Sequence, residues 1–306
     1  MPGAPGPSLQ VHSVLYGNSP REVARGLSAL AAAVDVARAA DLIGPVAVRF
    51  GDCSPEPVFG PSGEALAALA GQLPTLDSVR VAVFGANLGS AGGHNRLLAD
   101  VSSDFVLILN PDTILEPSCL KELLALGAAP AGSGAPVGIV EARQLPFEHP
   151  KTYDPVTGDT SWASTACALI PSSVVAQVGG FDADTFFLYC DDVDLSWRVR
   201  HAGYRVVVCE RARVFHDKRL TPSGAWTVGA AEEFYSAEAA LLMAHKWGRP
   251  DLVRRIAATL REGTPRQRDA LAAYRDRERE GRLPAPVPDA ARTATFVRGA
   301  YAPHRF

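Results

Sequence analysis

Short apolar segments alternate with segments rich in alanine and leucine through the first 110 residues, and this alternation restricts the fold more than any other feature. Strands are predicted over 11–17, 45–50, 79–85 and 104–110, and helices over 20–43, 62–72 and 94–101. This order predicts an α/β fold with a mainly parallel central sheet and flanking helices. Because ligands collect at the carboxyl ends of such strands, we expect Asp52 and Asp112, which each follow a strand, to lie at one edge.

The regular alternation ends at the Gly- and Pro-rich segment 127–136, which predicts a loop. Beyond it the pattern predicts strands over 137–145, 162–170 and 204–209, helices over 171–178 and 191–203, and further helices over 231–247, 251–263 and 265–280. The predicted organisation is therefore a flexible start at 1–9, an α/β domain at 10–225, a helical extension at 226–282 and an extended tail at 283–306.

The charge of the chain is unevenly distributed. The formal net charge is -3, which gives no indication of nucleic-acid binding. Residues 246–306 hold 14 Lys/Arg and 7 Asp/Glu, so this segment is basic and the remainder is acidic. Solvated helices are the favoured interpretation of the basic segment, and peripheral membrane contact is the alternative.

Cysteine usage and the absence of targeting patterns indicate a cytoplasmic protein, with membrane-peripheral association as an alternative. The five cysteines show no C-x-x-C spacing, which is typical of reduced and mostly buried thiols. The first residues have neither a basic nor an apolar region of a signal peptide, and no apolar run approaches the length of a membrane span.

Three aspartates within four residues, Asp191, Asp192 and Asp194, lie between Phe, Leu, Tyr, Val and Trp side chains. Carboxylates in an apolar setting need a partner, a metal or a chemical task. Acidic residues also favour the start of a helix, so taken alone the cluster is equally compatible with an ordinary helix N-terminus.

A second polar group, Asn110-Pro111-Asp112, follows the apolar strand at 104–110. A carboxylate here is well placed to hold a divalent cation against a diphosphate, although the same residues also form ordinary turns. His216 ends a later strand, and a lone histidine is more often structural. If it joins Asp112 at a cation, the imidazole favours manganese over magnesium.

Several other motifs are excluded or left open. The loop 87–93 is rich in glycine but lacks the G-x-G-x-x-G spacing, which argues against a nicotinamide site. No serine or cysteine nucleophile motif is present. Phe186 and Trp197 are predicted to be core residues, and Trp162 and Tyr189 are left open between core and pocket. His94 is expected on a helix surface.

The order of these motifs resembles family 2 glycosyltransferases of the GT-A fold, in the branch of rhamnosyltransferase-like enzymes. The resemblance covers about residues 9–220 and is most specific over 178–216. It is carried by Asn87-x-Gly89-x-x-Gly92-Gly93-x-Asn95, Asn110-Pro111-Asp112, Val178-Gly179-Gly180-Phe181-Asp182, Phe186-Phe187-x-Tyr189-x-Asp191-Asp192-Val193-Asp194-Leu195-x-x-Arg198, Gly203-Tyr204 and His216.

The resemblance implies an inverting, metal-dependent transfer of a sugar from a nucleoside-diphosphate donor. Asp192 matches the general base, and Asp191 stands where a glutamate is common. The metal-binding Asp-x-Asp motif maps onto 110–112, with Asn110 in place of the first acid and Asp112 as the main carboxylate ligand. His216 matches a histidine that binds the metal, Mn²⁺ or Mg²⁺, in some relatives.

Further roles follow from the same resemblance. Donor binding is implied for Asp52, Asn87, Gly89 and Asn95, together with Asn110 and Asp112. Acceptor binding is expected at Trp162 and Tyr189, and the nucleotide-binding and acceptor-binding parts are expected at about 10–126 and 137–225. The i, i+4 spacing of Asp194 and Arg198 predicts an ion pair that orients the helix.

The partners are predicted only by class. The donor is a UDP- or TDP-linked sugar, with a weak preference for a TDP-linked deoxysugar, and the acceptor is a glycan, a lipid-linked glycan or a natural product. An oligomer is compatible with the sequence. One alternative is a non-catalytic nucleotide-sugar-binding subunit, with which Asn110 in place of an acid is compatible. The other is a sugar nucleotidyltransferase, but such enzymes have a Gly-rich basic motif near the first strand, and this chain lacks it.

Overall fold

The computed structural model describes residues 6–129, 134–149, 151–217 and 229–301. Within them an eight-stranded sheet has the order β3-β2-β1-β4-β7-β6-β8-β5. The strands are β1 Leu9–Leu15, β2 Val46–Asp52, β3 Ser78–Val83, β4 Phe105–Leu109, β5 Thr113–Leu115, β6 Val137–Leu145, β7 Cys167–Pro171 and β8 Arg205–His216.

Helices cover the sheet and form a separate group after it. They are α1 Pro20–Ala39, α2 Glu64–Ala70, α3 Gly89–Leu98, α4 Cys119–Gly127, α5 Ser172–Val178, α6 Asp191–His201, α7 Ala230–Lys246, α8 Pro250–Arg261 and α9 Pro265–Arg279, followed by a 3-10 turn at Ala290–Arg292. None of the described helices is long and apolar enough to cross a membrane.

The first half of the sheet is parallel, as the alternation predicts. β1 pairs with β2 and β4, and β2 pairs with β3, all in parallel. α1, which joins β1 to β2, begins at a capping box in which Ser19 and Glu22 satisfy each other's backbone amides. Leu107 and Ile108 of β4 are fully buried, which fits a strand covered on both faces.

The second half of the sheet is mixed. β7 runs antiparallel to both β4 and β6, β6 is parallel to β8, and the short β5 is antiparallel to β8. The sequence pattern missed β5 and α4, and it predicted the strand at 204–209 separately from the strand end at His216. β8 is instead continuous for 12 residues to His216, where it pairs with Thr113. This pairing places His216 beside Asp112.

A second hydrophobic core joins α6 to the C-terminal helices. The Trp197 ring lies 5.1 Å from the Trp247 ring and 5.0 Å from the Phe296 ring, both edge-on. Phe186 and Trp197 are fully buried, so their prediction as core residues is confirmed. Residues 283–301 pack against this core through Leu283, Val287, Ala294, Phe296 and Tyr301.

Two predictions about single residue types have different outcomes. All five cysteines are buried free thiols, as predicted. The expectation of a surface position for His94 is wrong, because the residue is 3% exposed and its ring stacks on the Phe181 ring at 5.5 Å. Burial lowers the pKa of His94 to about 4.

Candidate active site

A cleft of about 490 Å³ opens at the ends of β4 and β8. It brings together seven of the residues singled out in the sequence: Asn110, Asp112, Trp162, Tyr189, Asp191, Asp192 and His216. The two acidic motifs, about 80 residues apart in the chain, therefore face one space. Asp52 ends β2, which runs parallel to β1 and β4, so it lies at the same edge of the sheet as Asp112, as expected. It does not line the cleft.

Asp112 and His216 form a pair on one side of the cleft. Their atoms Oδ1 and Nε2 are 3.3 Å apart, and the other ring nitrogen, Nδ1, lies 2.9 Å from Oε1 of Gln144. Since the amide oxygen only accepts, Nδ1 is the donor in this contact, which turns the Nε2 atom towards Asp112, where its lone pair would be available to a cation. Two acceptors at this separation suit a shared cation.

The charge of the cleft also favours a cation. Its lining includes six carboxylates and two histidines, and none of the described lining residues is lysine or arginine: Glu22, Asp112, Asp191, Asp192, Asp217, Glu232, His149 and His216. A diphosphate approaching these carboxylates is repelled unless positive charge accompanies it. Among the described residues no group of three or more His, Cys, Asp or Glu could hold a metal, so phosphate oxygens or water would complete the coordination.

Asp191 and Asp192 open α6 on the other side of the cleft. Asp191 is 4% exposed, and its Oδ2 has no hydrogen-bond partner among the residues that the structure describes. Burial raises the pKa of Asp192 to about 7, and the charge of Asp191 adds to the rise. Asp192 Oδ1 accepts a hydrogen bond of 2.8 Å from the Val193 amide. A carboxylate with a pKa near 7 suits a proton acceptor at neutral pH.

The start of α6 is held by an unusual backbone. Tyr189 and Cys190 both have left-handed conformations, with φ of 65° and 58°. Such conformations cost non-glycine residues on the order of 1–3 kcal/mol each and persist only where surrounding contacts impose them. One such contact is the Ser90 amide, which donates to Phe187 O at 3.0 Å. The neighbouring Gly89 leaves the space for it, because a Cβ there would overlap with Phe187 O.

The third aspartate of the cluster has a structural role. Asp194 is fully buried, and Arg198 Nε donates to its Oδ2 at 2.7 Å, so the predicted i, i+4 pair is confirmed. Its other oxygen, Oδ1, lies 2.7 Å from Lys246 Nζ and 3.0 Å from Trp247 Nε1. These two partners could not be predicted, because nothing in the sequence indicates that α7 packs on α6.

The aromatic residues of the cleft differ in exposure. Trp162 is only 2% exposed, with the Lys151 ammonium 4.2 Å above its ring and the Tyr301 ring edge-on at 6.0 Å. Tyr189 and Tyr301 also line the cleft and are half-buried. Lys151 forms a buried ion pair with Glu141, and neither was singled out in the sequence.

Four residues expected to bind the donor, Asp52, Asn87, Gly89 and Asn95, do not line the cleft. Each of them has a hydrogen-bond partner within the protein. Asp52 accepts from the Ser54 and Val58 amides at 2.9 and 2.6 Å. Asn87 accepts from the Gly89 amide at 3.1 Å. Asn95 binds the Phe181 backbone twice, accepting at 2.8 Å and donating at 2.7 Å. These side chains order the loops around the cleft.

Comparison with known proteins agrees with this arrangement. The sequence profile of the family described as "Glycosyltransferase like family 2" matches residues 61–227, more than half of the chain. The chain belongs to this family. The resemblance inferred from the motifs is thereby confirmed, and the matched region contains both acidic motifs and His216.

Curated relatives support the rhamnosyltransferase-like branch. The N-acetylglucosaminyl-diphospho-decaprenol L-rhamnosyltransferase of Mycobacterium tuberculosis is 30% identical over 183 residues, with 46% of this chain and 59% of that protein covered. The O-antigen chain rhamnosyltransferase WbaN of Salmonella anatum is 29% identical over 154 residues, with 43% and 47% covered. The chain thus spans about half the length of these relatives.

Solved structures confirm the GT-A fold. The mannosyltransferase PcManGT from Pyrobaculum calidifontis, in complex with GDP-Man and Mn²⁺, has a TM-score of 0.55 at 16% identity, covering 88% of this chain and 79% of that one. GalNAc-T7 with UDP, GalNAc and Mn²⁺ has a TM-score of 0.57 at 10% identity, covering 90% and 55%.

Proposed function

We propose that the chain is an inverting glycosyltransferase that moves a sugar from a nucleoside-diphosphate donor to an acceptor hydroxyl. The observation that carries this proposal is the single cleft between Asp112–His216 and Asp191–Asp192. An inverting displacement needs negative charge stabilised at the leaving group and a base at the attacking hydroxyl, on opposite sides of the sugar. The two acidic motifs supply one group for each side.

Asp192 is the base in this proposal. As the acceptor oxygen bonds to the anomeric carbon, its proton passes to the Asp192 carboxylate, and the bond from that carbon to the diphosphate breaks with its electrons on the diphosphate. Because burial raises the pKa of Asp192 to about 7, the carboxylate binds this proton far more readily than an exposed aspartate does. Asp191 supports it because its charge adds to the rise in the pKa of Asp192.

Asp112 and His216 are the proposed metal ligands. A bound Mn²⁺ or Mg²⁺ supplies the positive charge that the diphosphate needs in this acidic cleft. Gln144 orients the His216 ring so that Nε2 faces Asp112. Asn110 also lines the cleft and adds a neutral oxygen where a second carboxylate is common. A neutral oxygen is repelled less by the Asp112 carboxylate than a second carboxylate would be.

The donor and acceptor are proposed by class. The relatives named as rhamnosyltransferases favour a deoxysugar, and we propose a TDP- or UDP-linked donor. Asp52, Asn87, Gly89 and Asn95 contribute by ordering the loops of the nucleotide-binding part at about 10–126. A glycan, lipid-linked glycan or natural product binds against Tyr189 and Trp162 in the acceptor-binding part at about 137–225.

Calorimetric titration with UDP and TDP, with and without Mn²⁺, tests this function. We expect Mn²⁺ to tighten binding by about ten-fold or more, and Asp112→Ala to abolish the Mn²⁺ effect. Arg96→Ala, a change outside the cleft lining, is the matched control and should retain it. Absence of binding under every condition would refute the proposal.

A donor screen that follows nucleoside diphosphate release separates the alternatives. Metal-dependent binding without turnover of any donor would favour a non-catalytic binding subunit. Release of pyrophosphate from a nucleoside triphosphate and a sugar phosphate would instead identify a nucleotidyltransferase.

A further inference from the structure

Asp194 depends on a helix that lies outside the region matched by the family. Its carboxylate is completely buried, and a buried charge needs compensating partners. Arg198, on the same helix, donates a hydrogen bond to Oδ2. The partners of Oδ1 lie at the end of α7: Lys246 Nζ is 2.7 Å away and Trp247 Nε1 is 3.0 Å away. The family match ends at residue 227, before α7 begins.

Lys246 also binds the segment that leads into α6. Its ammonium lies 2.6 Å from Oδ2 of Asp182 and 5.5 Å from the centre of the Phe186 ring. The backbone oxygen of Asp182 in turn accepts from the Phe186 amide at 2.9 Å. One buried ammonium therefore connects both ends of the segment that contains Tyr189, Cys190 and the two acids at the cleft.

This connection is placed where the backbone needs support. Tyr189 and Cys190 have left-handed conformations that carry a free-energy cost. If Asp182 and Asp194 were released, the segment could relax and rotate the first turn of α6. Displacements of about 1 Å can lower a rate by about 100-fold, so this turn must be held accurately for the Asp192 carboxylate to act.

We propose that Lys246 and Trp247 are positioning residues that act through Asp194 and hold the Asp192 carboxylate in the orientation that meets the acceptor. This inference rests on the proposed function. It makes the C-terminal helices a working part of the active site and not an appended structural unit. Residues 283–301 reinforce the arrangement, since the Val287 amide donates to Lys246 O at 2.8 Å.

Three substitutions test the inference. Lys246→Met removes the ammonium at similar length, Lys246→Arg keeps a cation, and Trp247→Phe removes only the N–H donor and keeps an aromatic ring. Lys121→Met, on α4 in a half-exposed pair with Glu122 at 3.9 Å, is the matched control.

The first measurement is hydrogen exchange, which needs no substrate. We expect amides of residues 182–194 to exchange about ten-fold faster or more in Lys246→Met, with those of β4 unchanged. Lys246→Arg should restore slow exchange, and Trp247→Phe should show a smaller increase in the same segment. Unchanged exchange over 182–194 in both Lys246→Met and Trp247→Phe would overturn the inference. If Lys246→Met fails to fold, Trp247→Phe alone decides.

The second measurement is nucleoside diphosphate release from the donor that the screen identifies. We expect kcat to fall about ten- to 100-fold in Lys246→Met, with affinity for the nucleotide and Mn²⁺ retained. Equal loss of both, or an unchanged kcat, would contradict a positioning role. A wild-type protein that releases nothing from any donor refutes the proposed function instead, and exchange still tests the connection to α6.

Discussion

Replacing Asp192 by asparagine should inactivate the protein and make it more stable at pH 8. Burial and the nearby Asp191 charge raise the pKa of Asp192 from 3.8 to about 7. The folded state therefore holds this proton more tightly than the unfolded chain does. The stability that protonation provides is complete below about pH 4 and is lost as pH rises to about 7, so the ionised carboxylate is a cost above that pH.

The size of this cost follows from the shift. About three pKa units correspond to about 4 kcal/mol. Because Asp192 is half-buried and shares its titration with Asp191, we expect about half of that, or about 2 kcal/mol, to be gained by the neutral amide. Asparagine retains an oxygen that can accept from the Val193 amide, so the local hydrogen bond is kept.

Urea unfolding of the wild type and Asp192→Asn between pH 5 and 8.5 measures this gain. The difference in the free energy of unfolding should grow with pH and level off above about pH 7. Asp276→Asn, on the exposed face of α9, is the control and should show no such trend. A variant that is less stable than the wild type at pH 8, or a gain that does not vary with pH, would refute the reasoning.

Three further substitutions test parts of the site. Gln144→Leu removes the hydrogen-bond acceptor of His216 and should weaken Mn²⁺-dependent nucleotide binding by about ten-fold, measured by calorimetry, with no change in the absence of metal. Asn95→Ala should lower the free energy of unfolding by about 2 kcal/mol, because two backbone groups of Phe181 are left unsatisfied. If Asn95 instead contacts the donor directly, the folded variant should lose affinity for the donor. Gly89→Ala should reduce kcat more than Mn²⁺ affinity, because a methyl group would displace Phe187.

Much of the fold could be predicted from the sequence because its signals are local. The apolar segments before Asp52 and Asn110 identified two central strands, and the aspartate cluster identified the start of α6. The mixed half of the sheet could not be predicted. Insertion of β7 between β4 and β6 depends on pairing between distant segments, for which a single sequence contains no periodic signal.

The site shows the same division between local and distant information. The motif order indicated Asp112, His216 and Asp192, and the structure brings all three into one cleft. Lys246 could not be found in this way, because a lysine near the end of a helix is ordinarily a solvated residue. Only tertiary packing reveals that it is buried between two aspartates.

The measurement that tests the central claim most directly is nucleoside diphosphate release by the wild type and Asp192→Asn, in parallel with nucleotide binding. With Mn²⁺ and a donor that the wild type accepts, we predict a rate that rises with pH through about 7 in the wild type and falls by at least about 100-fold in the variant. Both proteins should bind the nucleoside diphosphate equally well. Release by Asp192→Asn at the wild-type rate would contradict the account.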